Sequence, residues 1–217
     1  WTYVRDDRNS GDATPPAVAF RYTPDRKGER PRQHLKPFAG TLQADGYAGF
    51  HHLYDSGTII EAACMAHARR KFYDVHQATG SPIAADVLQR IAGLYQVEAD
   101  VRGRSADVRC AARQARAGPI LIELKQQLET ALRQISAKSA LAGAIKYALS
   151  RWPALTRYRD DGVLEIDNNI AERSLRCIAL GRKNYLFAGA DTGGERAAAI
   201  YTLIGTALLN DLNPEAY

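Results

Sequence analysis

Ile166-Asp167-Asn168-Asn169-Ile170-Ala171-Glu172-Arg173-Ser174-Leu175-Arg176 reads as the end of a strand, then a cap, then a helix. Asp167, Asn168 or Asn169 offers a side-chain oxygen to the orphan N–H groups of a first helical turn. Ala171, Leu175 and Ile178 recur at i, i+4 and i+7, which predicts one apolar face packed on a core. Asn168 or Asn169, Glu172 and Arg176 fall on the opposite face. A carboxylate, amides and guanidiniums are thus presented together at the start of a helix. The same pattern also describes a plain amphipathic helix with a Glu172–Arg176 surface pair, worth roughly a few tenths of a kcal/mol.

A second carboxylate far upstream gives the first one a chemical context. In Gly40-Thr41-Leu42-Gln43-Ala44-Asp45-Gly46-Tyr47-Ala48-Gly49-Phe50, Leu42 and Ala44 alternate with Thr41 and Gln43 as in a short strand. Asp45 then stands at the C-terminal end of that strand, where ligands and metals are commonly bound in α/β sheets. The competing role for Asp45 is a turn residue that caps a following helix over Tyr47–Leu53.

The chain has 217 residues, enough for one domain with an insertion or for two small domains. No apolar run approaches the roughly 18 residues of a membrane span, so no membrane partner is expected. Trp1–Asp7 resembles a strand in mid-domain rather than a leader, and the chain does not open on Met. An N-terminally incomplete product is therefore expected, and the Pro-initiated start of a helix at Asn213–Tyr217 suggests a cut C-terminus as well. Cys64, Cys110 and Cys177 form an odd set without framework spacing, which fits free thiols in a reducing, cytoplasmic compartment. The net charge of +5 is modest. Its placement is more telling: Arg69, Arg70, Lys71, Arg173, Arg176, Arg182 and Lys183 flank the two carboxylates in sequence. Such residues form either a solvated basic face or a phosphate-binding one.

Trp1–Asp7 and Ala17–Thr23 read as strands joined by a turn-rich loop over residues 9–16. A short helix at Arg30–Phe38, the Asp45 strand, a strand at Thr58–Cys64 and a helix at His67–Gln77 follow, which predicts an α/β layer over residues 1–80. From 81 to 160 the period changes. Val87, Ile91, Leu94 and Val97, then Ile120 or Leu121, Leu124, Leu128, Leu132 and Ile135, then Leu141, Ile145 and Leu149 recur at helical spacing, which predicts an all-helical insertion. Residues 161–217 return to the layer: a strand at Val163–Ile166, the Glu172 helix, a strand at Tyr185–Ala188 and a helix from Gly194 to about Leu209.

Two carboxylates, one on a strand edge and one on a helix, suit a hard divalent cation. Mg²⁺ takes oxygen ligands and is usually bound by one or two carboxylates plus substrate phosphates. A further carboxylate is needed, and Asp6, Asp7 and Asp12 lie in a turn-like stretch beyond the first strand. The missing ligand is expected on a strand preceding Trp1. Cys64-x-x-His67 is half of a zinc site without a second tight pair. A supporting role for His67, near Asp45 or a phosphate, competes with that of an ordinary helix-start histidine. His51 and His52 suit a solvated helix face. After the Glu172 helix, Gly181 suits a C-cap, and Arg182 and Lys183 suit either a phosphate or the helix C-terminus. No nucleophile elbow, P-loop or dinucleotide fingerprint occurs.

Five ordered blocks carry a family resemblance: Thr41–Phe50, Glu61–Phe72, Asn168–Arg176, Gly181–Gly189 and Gly193–Ala199. Together, over essentially the whole chain, they resemble the transposases of the bacterial insertion-sequence-66 family. The resemblance implies a ribonuclease-H-like α/β core interrupted by an all-helical insertion. It implies an Asp-Asp-Glu transposase in which Asp45 is the second catalytic Asp and Glu172 the catalytic Glu, both ligating Mg²⁺ (or Mn²⁺). A Cys-x-x-His shortly after the second Asp is similar to a signature of several Asp-Asp-Glu groups. The implied reaction is in-line phosphodiester cleavage and strand transfer on transposon ends and target DNA, in a homo-oligomeric, DNA-associated complex. His67, Asn168, Asn169, Arg173, Arg176, Arg182 and Lys183 would then orient ligands or DNA. The family's first catalytic Asp falls upstream of Trp1. Its absence sets up two rivals: a catalytically dead remnant acting only in DNA binding or oligomerisation, and a ribonuclease-H-like nuclease unrelated to transposition.

Overall fold

The structure, a computed structural model, describes residues 1–181 and 188–216. The chain is mixed α/β and mostly helical. In order it runs through β1 (Thr2–Arg5), β2 (Ala17–Phe20), α1 (Glu29–His34), β3 (Gly40–Ala44), α2 (His51–Tyr54), β4 (Ile59–Ala63) and α3 (Met65–Thr79). It continues with α4 (Pro82–Val101), α5 (Ala106–Ala112), a π-helical turn (Arg113–Ala117), α6 (Gly118–Gln134), α7 (Ala140–Ser150), α8 (Trp152–Thr156), α9 (Asn169–Gly181) and α10 (Asp191–Leu209).

Two small sheets form. β1 and β2 pair antiparallel with Val4 opposite Val18, and β3 and β4 pair parallel with Ala44 opposite Ala63. The outer edge of β2 is covered by α10. The Thr202 hydroxyl accepts from the Phe20 N–H at 2.9 Å, and the Thr206 hydroxyl serves both the N–H and the C=O of Val18 at 3.2 and 3.1 Å. Two threonines one turn apart thus satisfy a strand edge that would otherwise be open to pairing.

Residues 82–159 contain no strand. The helices begin where the chain chemistry dictates: Ser81 caps α4 ahead of Pro82, accepting from Ala84 N–H, and Ser139 caps α7 by accepting from Ala142 N–H. Their apolar stripes do not form a core of their own. Phe72 and Val75 of α3, Val87, Ile91 and Leu94 of α4, Leu124 and Leu128 of α6, and Ile145 of α7 share one buried cluster with Ala63 and Ile166. The helical part and the β3–β4 layer therefore stand on one continuous core, with α3 common to both.

Four charged side chains lie at the far side of this core. Arg113 is fully buried and binds Glu98 through two nitrogens at 2.8 and 2.6 Å. It also donates to the carbonyls of Tyr158, Asp161 and Leu164 at 2.8, 2.8 and 2.9 Å. Arg109, 1% exposed, reaches Glu165 at 2.5 Å and Glu98 at 3.5 Å. This network takes up the carbonyls of Tyr158, Asp161 and Leu164 and bears on a correction: Val163–Ile166 is not a strand but an irregular, bend-rich stretch. Carbonyls drawn inward to guanidiniums cannot join a ladder. A second correction concerns α9. None of its residues is buried, and Leu175 is 43% exposed, so Ala171, Leu175 and Ile178 do not pack on the core among the described residues. The helix lies beside β1 and over the strand ends, too shallowly for its apolar stripe to be covered. α9 is described through Gly181, and the residues that directly follow it lie outside the described residues. The strand expected at 185–188 lies outside the described residues, apart from Ala188, which is not in a strand.

Candidate active site

Three hydrogen bonds bring the chain leading into α9 across the ends of the parallel strands. Gln43 Nε2 of β3 donates to Glu165 O at 2.7 Å, and Met65 N–H, just after β4, donates to Ile166 O at 3.0 Å. Tyr95 of α4 then donates its hydroxyl to Asp167 Oδ2 at 2.7 Å. Asp167 closes the turn before α9, accepting from the Asn169 N–H at 3.0 Å and the Asn169 side-chain amide at 2.9 Å. The Asn168 carbonyl accepts the N–H groups of Ala171 and Glu172 at 3.0 and 3.3 Å. Of the three residues able to cap this helix, the side-chain role falls to Asp167 and the main-chain role to Asn168. The Tyr95 hydroxyl is held protonated, its pKa raised first by burial and then by the neighbouring Asp167 charge.

Glu172 emerges in the first turn of α9 and meets His67, in the first turn of α3, with Oε1 3.2 Å from Nε2. Both side chains keep solvent access, at 46% and 34%. Nδ1 is buried with no partner among the described residues. The Glu172–Arg176 surface pair does not form; His67 occupies that carboxylate instead.

Asp45 follows β3 directly and is exposed, with Oδ1 accepting from Tyr47 N–H at 3.0 Å. Asp45 thus closes a turn onto Tyr47 but caps no helix, since neither the 3-10 turn at Ala48–Phe50 nor α2 has a side-chain cap, and Oδ2 has no protein partner among the described residues. The next residue, Gly46, has φ +80°, which favours glycine. The turn is gripped from the helical part. Tyr147 of α7 donates its hydroxyl to Asp45 O at 3.3 Å, and Arg151, just past α7, donates to Gly46 O at 3.0 Å and to Glu61 Oε1 at 2.7 Å. Lys71 of α3 stands over the Tyr147 ring at 4.6 Å, and Arg151 lies 5.4 Å from the same ring. Within a single turn of α3, His67 touches Glu172 and Lys71 touches the tyrosine that holds Asp45. The two acidic segments therefore face the same end of β3–β4, along one face of α3.

The remaining site candidates divide. Asn169 spends its amide on Asp167, and the Asn168 side-chain oxygen is buried without a partner among the described residues. Arg173 faces away towards β1: the Asp6 carboxyl is held below its ordinary range chiefly by Arg8, with Arg173 contributing. Arg176 is exposed, while Arg182 and Lys183 lie outside the described residues. Cys64, the residue before α3, is buried, and burial pushes its thiol up to about 11 despite the neighbouring N–H groups of Asn168, His67 and Ala66. A protonated, enclosed thiol packs rather than ligates. Among the described residues, no group of three or more His, Cys, Asp or Glu is placed to hold a metal ion. His52 pairs with Asp55 on the surface at 3.1 Å.

Sequence reasoning missed Tyr95, Tyr147 and Arg151. Each acts on a residue some 70 to 105 positions away, so local spacing carries no trace of it.

Comparison with known proteins bears on the whole chain. A family profile described as Transposase IS66 family matches residues 1–196. Three proteins of Sinorhizobium fredii (strain NBRC 101917 / NGR234) are similar over essentially all of the chain. They are the uncharacterized proteins y4jD (42% identical), y4hP (38%) and y4qI (41%). The chain spans 44%, 42% and 41% of their respective lengths. No solved structure matches it significantly. No helix of the described residues is long and apolar enough to cross a membrane. With its profile match covering nine-tenths of the sequence, the chain belongs to the IS66 transposase family.

Proposed function

We propose that this chain carries the catalytic core of a DNA transposase with a ribonuclease-H-like arrangement, in which Asp45 and Glu172 are two of the metal-holding carboxylates. The observation that carries this is the convergence of the Asp45 turn and the Glu172 helix at the C-terminal end of the parallel β3–β4 pair. The donor set fits Mg²⁺ or Mn²⁺: both groups are carboxylates with solvent access, and Asp45 keeps an oxygen without a partner among the described residues. A bound Mg²⁺ would supply Lewis-acid stabilisation of charge at a phosphodiester. The protein side chains do the rest. His67 orients Glu172 through its Nε2 contact, and the Tyr47 N–H and the α7 clamp orient Asp45. Lys71 and Arg176, together with Arg182 and Lys183, provide cations for DNA phosphates. The working complex is read as a homo-oligomer on DNA.

The test uses the full-length protein and an end-containing DNA duplex. Glu172→Gln and Asp45→Asn should each abolish Mg²⁺-dependent nicking while leaving DNA binding within about twofold, because the amide keeps the shape and loses the charge. Nicking at parental rate by Glu172→Gln removes Glu172 from the site. The rival, a remnant that only binds DNA, is favoured by the presence of just two site carboxylates among the described residues. It would show steep salt-dependent DNA binding and no nicking in any form.

A further inference from the structure

We propose that the helical segment is the alignment frame of the acidic site, and that Arg151 is the positioning residue that sets the Asp45 turn. This rests on the reading of Asp45 as a metal-holding carboxylate.

Arg151 is the C-cap residue of α7, and its side chain is only 15% exposed. The guanidinium bridges two elements. One nitrogen pairs with Glu61 of β4 and another with the Gly46 carbonyl of the β3 turn. A Cβ on Gly46 would sit 2.8 Å from Arg151 Cζ, so the plane of the guanidinium lies flat against the turn. The Tyr147 ring backs it at 5.4 Å, and the Tyr147 hydroxyl holds the carbonyl of Asp45 itself. Both carbonyls around Asp45 are thus fixed by side chains that enter from the helical segment. The Asp45 carboxylate, tied to Tyr47 N–H, is left one free oxygen in a set direction. On the other side of the site, the same segment holds Asp167 through Tyr95, and so sets where α9 and Glu172 begin. A planar fork does this with two separate nitrogens, whereas a lysine must reach both acceptors from a single atom without that fixed geometry.

The charge of Arg151 makes the proposal separable from simple electrostatics. Deleting a cation beside a metal site, and freeing Glu61, should tighten divalent-cation binding. Deleting a positioning group should weaken it. Groups that orient metal ligands typically alter affinity by about 10–100-fold.

The experiment measures Mn²⁺ binding to the full-length protein by EPR, as loss of the free-ion signal, with nicking followed in parallel. Arg151→Ala should weaken Mn²⁺ binding about tenfold or more. Arg151→Lys, which keeps the charge, should recover less than half of that loss. Tyr147→Phe, which keeps the ring and deletes only the hydroxyl, should weaken binding by about two- to threefold. Unchanged or tighter Mn²⁺ binding in Arg151→Ala overturns the proposal, as does full recovery by Arg151→Lys. If Arg151→Ala fails to fold, Arg151→Lys and Tyr147→Phe decide by the same criteria. Asp45→Asn is the control. If it binds Mn²⁺ like the parent, the metal-site reading itself fails and Arg151 has nothing to position; if it loses Mn²⁺ while Arg151→Ala does not, only the positioning role falls.

Discussion

Replacing Arg113 by Met should destabilise the chain severely, and the structure says by how much. Arg113 is fully buried and makes five hydrogen bonds: two to Glu98 and one each to the carbonyls of Tyr158, Asp161 and Leu164. Met fills much of the volume, so the cavity contribution is small. The electrostatic contribution is not. Glu98, 5% exposed, would be left with Arg109 at 3.5 Å as its remaining cation. Breaking one side of a buried pair costs about 3–5 kcal/mol, and residual attraction to Arg109 argues for the lower half of that range. The carbonyls of Tyr158 and Asp161, orphaned because Leu164 O keeps Arg109 at 3.4 Å, add up to ~1 kcal/mol each unless the 158–164 loop swings out to water. A loss of about 4 kcal/mol is a large share of the 5–15 kcal/mol of an ordinary domain. With a urea m-value of roughly 2 kcal/mol/M, the midpoint should fall by about 2 M. Far-UV circular dichroism during urea unfolding measures this. Glu98→Met with Arg113→Met should cost clearly less than the two single changes added together, since it removes both charges. A midpoint shift under about 0.3 M for Arg113→Met, or strict additivity in the double variant, would refute the claim that the pair is electrostatically coupled.

Two further outcomes follow from single contacts. In native protein at pH 8, iodoacetamide should modify exposed Cys177 at least about tenfold faster than Cys64, whose buried thiol is pushed up to about 11 from 9.0. Comparable rates by mass spectrometry would show that Cys64 is not enclosed. Thr206→Val should cost roughly 1–2 kcal/mol in urea unfolding because it strips both Val18 backbone groups of their partner, and Thr206→Ser should restore most of it. Equal stability of the Val and Ser variants would remove α10 as the cover of the β2 edge.

Periodicity alone was enough to place α4, α6 and α7 and the strands β3 and β4, whereas α5, the π-helical turn and α8 carry no such stripe. Burial of apolar stripes at 3.6 and 2 residues per turn is a local property, written in Val87, Ile91 and Leu94 or in Leu42 and Ala44. The local placement of the two acidic residues was legible for a similar reason: Asp45 stands before a glycine turn and Glu172 in the first turn of a capped helix. Local pattern failed where a side chain answers to a distant partner. Val163–Ile166 has strand composition, but its neighbouring carbonyls are drawn inward by Arg113, a residue that reads in isolation as a surface cation. The apolar stripe of α9 is real in sequence but only partly covered by the described residues, with Ala171 and Ile178 half-buried and Leu175 exposed. His67 was legible as a helix-start residue, but its contact with Glu172 required α3 and α9 to be brought side by side. The grip of Arg151 and Tyr147 on the Asp45 turn has no local signal at all. Spacing along a chain encodes which face of an element is buried; which buried face meets which turn depends on how the elements pack, and that only tertiary structure decides.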